Sequence, residues 1–355
     1  MNISNIDSFF FSMDFEEYNA ENKELLNTLA ELKEKAQEDR MIETYITLNC
    51  RKFKLLPNGS RFHAYILHND SLEIKVASNR SKSKNNFPVA IRLKSMLLWE
   101  KGFLDAYMET EQFITSLFNG EVKGNKISRA DLCCHTDDLF PTSNLEVWRG
   151  RFRKIELFTY NRAINGLVFG SFKENNVMCR IYDKTLEIKS SGKAWFNEIW
   201  SKQDMNINNV WNIEFQVGRK FFKEHNIESS QDFIIQMRGI WEKLTGNWIN
   251  LVNLDDDRKS RCSVHDTWLE VQKAFKEFCL QEPIKREKLK EYDAKKLMPL
   301  LVGVLTSYGA SYQQITLYRV LDQFKEDLKE YLEEKKDNVP LEQLFLDKLE
   351  YIFEQ

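Results

Sequence analysis

Segments of strand character follow one another in this chain at separations too short for a crossover helix. Met41–Lys54 and Arg61–Ala77 are β-branched or aromatic enough to extend, and only the turn signal Pro57-Asn58-Gly59-Ser60 divides them. A parallel pair needs a connection of about a dozen residues or more. These strands therefore pair antiparallel, and the fold class that follows is α+β. Further strands are expected over 4–15, 89–94, 125–135, 166–170, 177–182 and 210–217. Helical spacing of Leu25, Leu26, Leu29 and Leu32 predicts a helix over 21–40, and similar patterns predict helices over 95–117 and 185–200. From Phe221 onward the pattern is helical, with Leu317, Val320, Leu321, Phe324, Leu328, Tyr331 and Leu332 on one stripe. The expected organisation is an antiparallel-sheet domain with flanking helices over residues 1–257, then a helical C-terminal module over 258–355.

Composition narrows the class. Of 355 residues 42% are hydrophobic and 30% charged, with 13 Gly and 6 Pro, which excludes collagen-like, low-complexity and globally disordered chains. No run approaches the ~18 apolar residues of a membrane helix, the nearest being the stretch around Leu297–Leu305. The N-terminal segment has acids around Phe9–Phe11 and no basic leader, so a cytoplasmic location is expected. Six Cys occur without a C-x-x-C, which predicts reduced, mostly buried thiols.

The net charge of −3 argues at first against a nucleic-acid partner, but the average hides its distribution. Residues 51–94 carry ten Lys/Arg against Asp70 and Glu73, and residues 149–193 carry ten against four acids, leaving −17 for the rest. Local asymmetry of this size is the better guide to partners.

Common catalytic signatures are absent: there is no P-loop, no G-x-G-x-x-G, no H-E-x-x-H and no G-x-S-x-G. The five His are dispersed, so a His-based metal site is not expected. Three strands instead place polar groups among apolar ones. Period-two alternation puts Arg129 and Asp131 on one face, Arg180, Tyr182 and Lys184 on one face of the next, and Glu214 opposite Trp211, Ile213 and Phe215 in the third. One reading is outward faces of half-buried sheets, or ion pairs joining strands. The other is a single site. Carboxylates without a His partner suit a hard cation, Mg²⁺ or Mn²⁺. A Tyr flanked by two cations suits nucleophilic attack on a phosphate, because the phenol is a weak nucleophile until its oxyanion is stabilised. Tyr160, near Arg162, is the alternative nucleophile.

Gly170-Ser171 followed by Arg180-Ile-Tyr182-Asp183-Lys184-Thr-Leu-Glu187 resembles the G-S and R-I-Y-D-K-x-x-E pattern of the replication initiation factor family, the rolling-circle plasmid and phage initiators and conjugative-transposon relaxases. Ile6-Asp7, the Leu93–Gly102 segment, Arg129-Ala-Asp131, Trp211-Asn-Ile-Glu214-Phe-Gln216 and Val264-His-Asp-Thr-Trp268 occur in the family order, so the resemblance spans roughly residues 4–270. Departures are Val168 before Phe-Gly-Ser, Glu174-Asn175-Asn176 in the following turn, and Asn212 where the family carries Arg.

The resemblance implies a metal-dependent, origin-specific single-strand endonuclease that initiates rolling-circle replication. Tyr182 would be the nucleophile, leaving a 5′-phosphotyrosine. Lys184 and Arg180 would offset phosphate charge, and Asp131, Glu214 and Glu187 would hold Mg²⁺ or Mn²⁺, with Glu187 alternatively the base. Arg129 would contact phosphate or orient Asp131. The basic segments, Arg51, Lys52, Lys54, Lys82, Lys84, Arg92 and Lys94 with Arg149, Arg151 and Arg153, would line a path for single-stranded and duplex origin DNA. Expected partners beyond DNA are a host helicase or coupling protein and a second copy of the chain. A conjugative relaxase with the same chemistry, or a non-catalytic DNA-binding regulator on the same fold, are the alternative functions.

Overall fold

The computed structural model of the chain describes residues 1–38, 44–80, 86–138, 144–276 and 294–334. Its strands are β1 (Asn2–Phe15), β2 (Thr44–Leu48), β3 (Arg51–Leu55), β4 (Tyr65–His68), β5 (Leu72–Val76), β6 (Val89–Leu93), β7 (Val122–Thr136), β8 (Trp148–Gly150), β9 (Ile155–Tyr160), β10 (Ala163–Ser171), β11 (Val177–Asp183), β12 (Trp211–Gly218) and β13 (Ile249–Leu251). Eleven of them form one antiparallel sheet in the order β2-β3-β4-β5-β6-β1-β7-β12-β11-β10-β9, and β8 pairs with β13 separately. The fold is α+β, an antiparallel sheet with flanking helices and helices at the C-terminal end.

Several sequence-level segments divide where backbone geometry requires it. The expected strand Met41–Lys54 is a hairpin that turns on Asn49 and Cys50, both at positive φ. Arg61–Ala77 contributes β4 and β5, joined by a turn in which the Asn69 side chain accepts from the backbone N–H groups of Ser71 and Leu72. The helix expected over 95–117 is two, Ser95–Lys101 and Phe103–Leu117, because Gly102 between them has φ +79.

The sheet's two faces follow from alternation. Ile6, Phe9, Phe11, Ile127, Leu132, Ile181, Ile213 and Phe215 point to one side and pack into the main core with helices such as Phe103–Leu117 and Ser230–Lys243. On the other side the central strands are polar. One end of that polar face is roofed by a smaller core of Trp99, Cys133, Ile188, Phe196, Trp200, Met205 and Val210, supplied largely by the helices Lys184–Ser191 and Phe196–Lys202.

The chain divides into two compact units, Met1–Arg286 and Glu287–Gln355. The first therefore runs past the boundary expected at residues 257/258. The reason is burial: Trp268 and Val271 are fully buried, the Trp268 indole N–H donates to the Thr245 carbonyl at 2.8 Å, and Val264 bridges Val252. In the second unit, helix Ala294–Ser311 meets helix Leu317–Glu334 at Gly309, where a Cβ would lie 2.7 Å from Val320 Cγ2.

Candidate active site on the polar face of the sheet

Antiparallel register assembles the site from residues distant in sequence. One row across the polar face reads Gly166, Tyr182, Asn212, His135, and the next reads Val168, Arg180, Glu214, Cys133. A third reads Met178, Gln216, Asp131, Ser8. The strand β11 ends at Asp183, whose carboxylate caps the helix Lys184–Ser191 by accepting from Leu186 N–H at 2.8 Å. This cap starts the helix immediately after the tyrosine and brings Lys184 and Glu187 back beside it.

A cleft of about 500 Å³ opens here, lined by Arg180, Tyr182, Lys184, Glu187 and Glu214 together with Asp7, Gly166 and Lys193. The Tyr182 hydroxyl donates to Glu214 Oε2 at 3.1 Å and accepts from Asn212 Nδ2 at 2.8 Å and Lys184 Nζ at 3.5 Å. Arg180 is ion-paired to Glu214 Oε1. Lys184 is buried beneath the Phe196 ring, 4.7 Å from its centroid, and pairs with Glu187 at 2.8 Å. Asp131 is held by Arg129 through two hydrogen bonds, from Nε at 2.8 Å and Nη2 at 2.6 Å. It lies on the same polar face as Glu214, outside the lining of the cleft.

Electrostatics divide the acids into two kinds. Burial pushes Glu214 above the usual carboxylate range; Arg180 opposes this, while Asp7 and Asp131 reinforce it. Burial likewise raises Asp131 against the pull of Arg129. Burial would raise Asp7 as well, but Lys184 and a 2.7 Å hydrogen bond from Ser95 outweigh it and hold Asp7 below its ordinary value. Burial, then the Glu214 and Asp7 charges, lift the Tyr182 phenol well above its ordinary range, so it rests protonated with its hydrogen directed at Glu214. His135, whose Nδ1 accepts from the Trp200 indole at 3.0 Å, is pushed down to about 3 by burial and is neutral.

The expected metal ligands Asp131, Glu187 and Glu214 do not stand as a ligand set. Each is held by a cation of its own, Arg129, Lys184 and Arg180 respectively. Among the described residues no three His, Cys, Asp or Glu side chains converge to hold a metal ion.

The expected DNA-contacting residues separate by face. Lys54 and Arg92 lie in one register row with Phe10 and Arg129 on the polar face. Phe10 sits between two guanidinium groups, 5.0 Å from Arg92 and 4.9 Å from Arg129. Lys52, two residues from Lys54 on β3 and on the same face, lies over the Tyr45 ring at 4.4 Å. Arg51 points the other way, pairing with Glu109 at 2.5 Å over Phe113 on the core side, so it is not part of this surface. Lys94 donates to the Asn69 carbonyl at 2.5 Å. Arg149 clamps a loop through the carbonyls of Lys259, Ser260 and Cys262, whereas Arg151 and Arg153 are exposed. Lys82 and Lys84 lie outside the described residues. Tyr160, the alternative nucleophile, is on edge strand β9 and 55% exposed, two strands from the buried cations.

Asp7, Asn212, Gly166 and Lys193 were not among the expected site residues. The signal for Asn212 was available, since alternation places it on the Glu214 face. Asp7 is an acid within an apolar strand, the same cue that singled out Glu214.

No protein-family model matches the chain, and no curated protein matches it. Among solved structures it is similar to the rolling circle replication initiator protein from Geobacillus stearothermophilus, with 13% identity, 80% of this chain and 100% of that chain covered, and a TM-score of 0.45.

Proposed function

We propose that this chain is an origin-specific single-strand DNA endonuclease and strand transferase that starts rolling-circle replication through a 5′-phosphotyrosine at Tyr182. One observation carries the reading: a tyrosine hydroxyl at the floor of an open cleft, with a carboxylate placed to take its proton and an amide and an ammonium placed to stabilise its oxyanion. A buried phenol needs partners in any case, and Tyr107 in the core has Glu111, Asn125 and Gln231; what sets Tyr182 apart is that it opens on a cleft lined by Arg180, Lys184 and Lys193.

In the proposed step the Tyr182 oxygen attacks the scissile phosphorus and its proton passes to Glu214, whose raised proton affinity suits the acceptor role. The new O–P bond forms as the P–O3′ bond breaks. The 3′ oxygen departs with that electron pair and takes a proton from solvent, leaving a free 3′-OH. Arg180, Lys184 and Lys193 line the cleft and balance the charge that develops on the phosphoryl oxygens. Because the phosphotyrosine retains the phosphodiester energy, the reverse attack by a 3′-OH rejoins a strand. The polar face carrying Lys52, Lys54, Arg92 and Arg129 gives the DNA backbone a path towards the cleft. The Mg²⁺ or Mn²⁺ implied by the resemblance is a separate proposal. As they stand, Asp131, Glu187 and Glu214 do not fit it, and no step above passes through a metal.

The test is cleavage of single-stranded DNA by the native chain and by Tyr182→Phe. Cleavage by the native chain alone supports the reading. Equal cleavage by both removes Tyr182 from the chemistry, and DNA binding without cleavage by the native chain favours the non-catalytic regulator.

A further inference from the structure

The hairpin β9–β10 turns on Asn161 and Arg162, both at positive φ, and β9 is an outer edge of the sheet. Register sets Phe158 opposite Gly166, and Gly166 opposite Tyr182. Three adjacent positions across the polar face therefore read aromatic, no side chain, tyrosine. A Cβ on Gly166 would sit in ordinary contact with both neighbours, 3.5 Å from Tyr182 Cβ and 3.7 Å from Phe158 Cβ, so the glycine leaves the place of one side chain open between them, a slot on the cleft wall.

Phe158 lines the Tyr182 cleft yet is 49% exposed. Tyr160, two residues on and on the same face, is also exposed. Both aromatics keep about half of their surface open to solvent on an edge strand, where natural edges are usually blunted with charge. Phe158 shares the cleft lining with Arg180, Lys184 and Lys193, cations suited to a phosphate, and Tyr160 lies outside that lining, two residues further along β9. A flat apolar surface next to a phosphate-binding cluster matches a ligand that is itself flat, apolar on its faces and joined to a phosphate. An unpaired nucleotide has that chemistry, because every base offers a π-face for stacking.

We propose that Phe158, extended by Tyr160, is a stacking ledge for the unpaired base next to the phosphate held at Tyr182, and that the Gly166 slot admits that base. The proposal rests on the Tyr182 reading for its ligand, and it deepens that reading by naming the side chains that hold the unpaired base beside the scissile phosphate. A base still paired in a duplex keeps its faces inside the stack and cannot lie on the ledge.

The test uses the full chain and a single-stranded oligonucleotide bearing 5-iododeoxyuridine, crosslinked by light and mapped by mass spectrometry. Tyr182→Phe is run in parallel so that the strand stays intact. Crosslinks are expected at Phe158 or Tyr160. Phe158→Ala should weaken single-strand binding by about 5- to 150-fold, the range for loss of one base–aromatic stack, and Phe158→Trp should restore it. Gly166→Leu should weaken it too, by filling the slot. Crosslinks elsewhere, together with unchanged binding and adduct formation by Phe158→Ala, overturn the ledge and leave the Tyr182 reading intact. A change in sedimentation mass of Phe158→Ala without a change in DNA affinity overturns it in favour of a second copy of the chain docking on β9. Failure of the native chain to bind any single strand overturns both readings.

Discussion

Glu214→Gln separates proton transfer from the rest of the site. The substitution preserves shape and leaves Asn212 and Lys184 in contact with the Tyr182 oxygen, but removes the group that receives its proton at 3.1 Å. Two consequences oppose each other. A unit negative charge at that distance contributes on the order of 5 kcal/mol towards keeping the phenol protonated at an effective dielectric constant of ~20, and Arg180 on the other carboxylate oxygen offsets part of it. Removing the charge therefore lets the phenol fall only part of the way back towards its ordinary value of about 10, because burial, the larger cause, and Asp7 remain. At pH 7 that leaves fewer than about one phenol in a thousand ionised, with no neighbouring base to ionise it in the transition state. The expected loss is accordingly about 10²–10⁴-fold in the rate of covalent adduct formation. The assay is single-turnover adduct formation on single-stranded DNA from pH 6 to 10. In the variant the rate should climb about tenfold per pH unit above neutrality, while the native profile is flat once Glu214 is ionised. A loss smaller than about tenfold, or a variant profile parallel to the native one, refutes Glu214 as the proton acceptor.

Three further outcomes follow. His135 is neutral in the folded chain, with its value pushed down to about 3, whereas unfolded His titrates near about 6.5. Its contribution to stability is thus full above the unfolded value and is lost as pH falls through that window, by up to about 1.4 kcal/mol per pH unit; urea unfolding of His135→Gln against the native chain should show a shallower acid dependence. Gly170 has φ +78, and a Cβ there would meet Trp248 at 2.9 Å, so Gly170→Ala should cost about 1–3 kcal/mol, read as a lowered denaturation midpoint. A divalent ion at Glu214 would compete with the Arg180 guanidinium for the carboxylate; calorimetric titration should show Mn²⁺ binding Arg180→Gln more tightly than the native chain, and equal or weaker binding places any metal elsewhere.

Alternation made the central strands legible. The runs around Arg129-Ala-Asp131, Arg180-Ile-Tyr182 and Trp211-Asn-Ile-Glu214 each bury one face and keep polar groups on the other, so both strand and facing could be read locally. Strand β9 could not. It lies at an edge with both faces largely exposed, and its sequence lacks the contrast between buried and solvated positions. The breaks at Gly102 and Gly192 depend on positive φ, which glycine permits but does not announce. Arg51 looked like part of a basic run, and its direction was set by Glu109 and Phe113, far away in sequence. The carboxylates divide. Alternation already put Arg129 beside Asp131 on one strand face, whereas the cations that Glu214 and Glu187 meet are decided by strand register and helix capping. The limit of the sheet-bearing unit was hidden for a similar reason, because Trp268 reads as part of a helical tail until its burial against the first unit is known.

The central claim is that Tyr182 becomes covalently joined to DNA. The direct measurement is mass spectrometry of the protein after reaction with a pool of single-stranded DNA and nuclease trimming of the bound strand. The account predicts a nucleotide phosphate on the peptide carrying Tyr182, a free 3′-OH on the released strand, and neither product with Tyr182→Phe. Cleaved DNA with an unmodified Tyr182, or an adduct mapped to Tyr160, would contradict it.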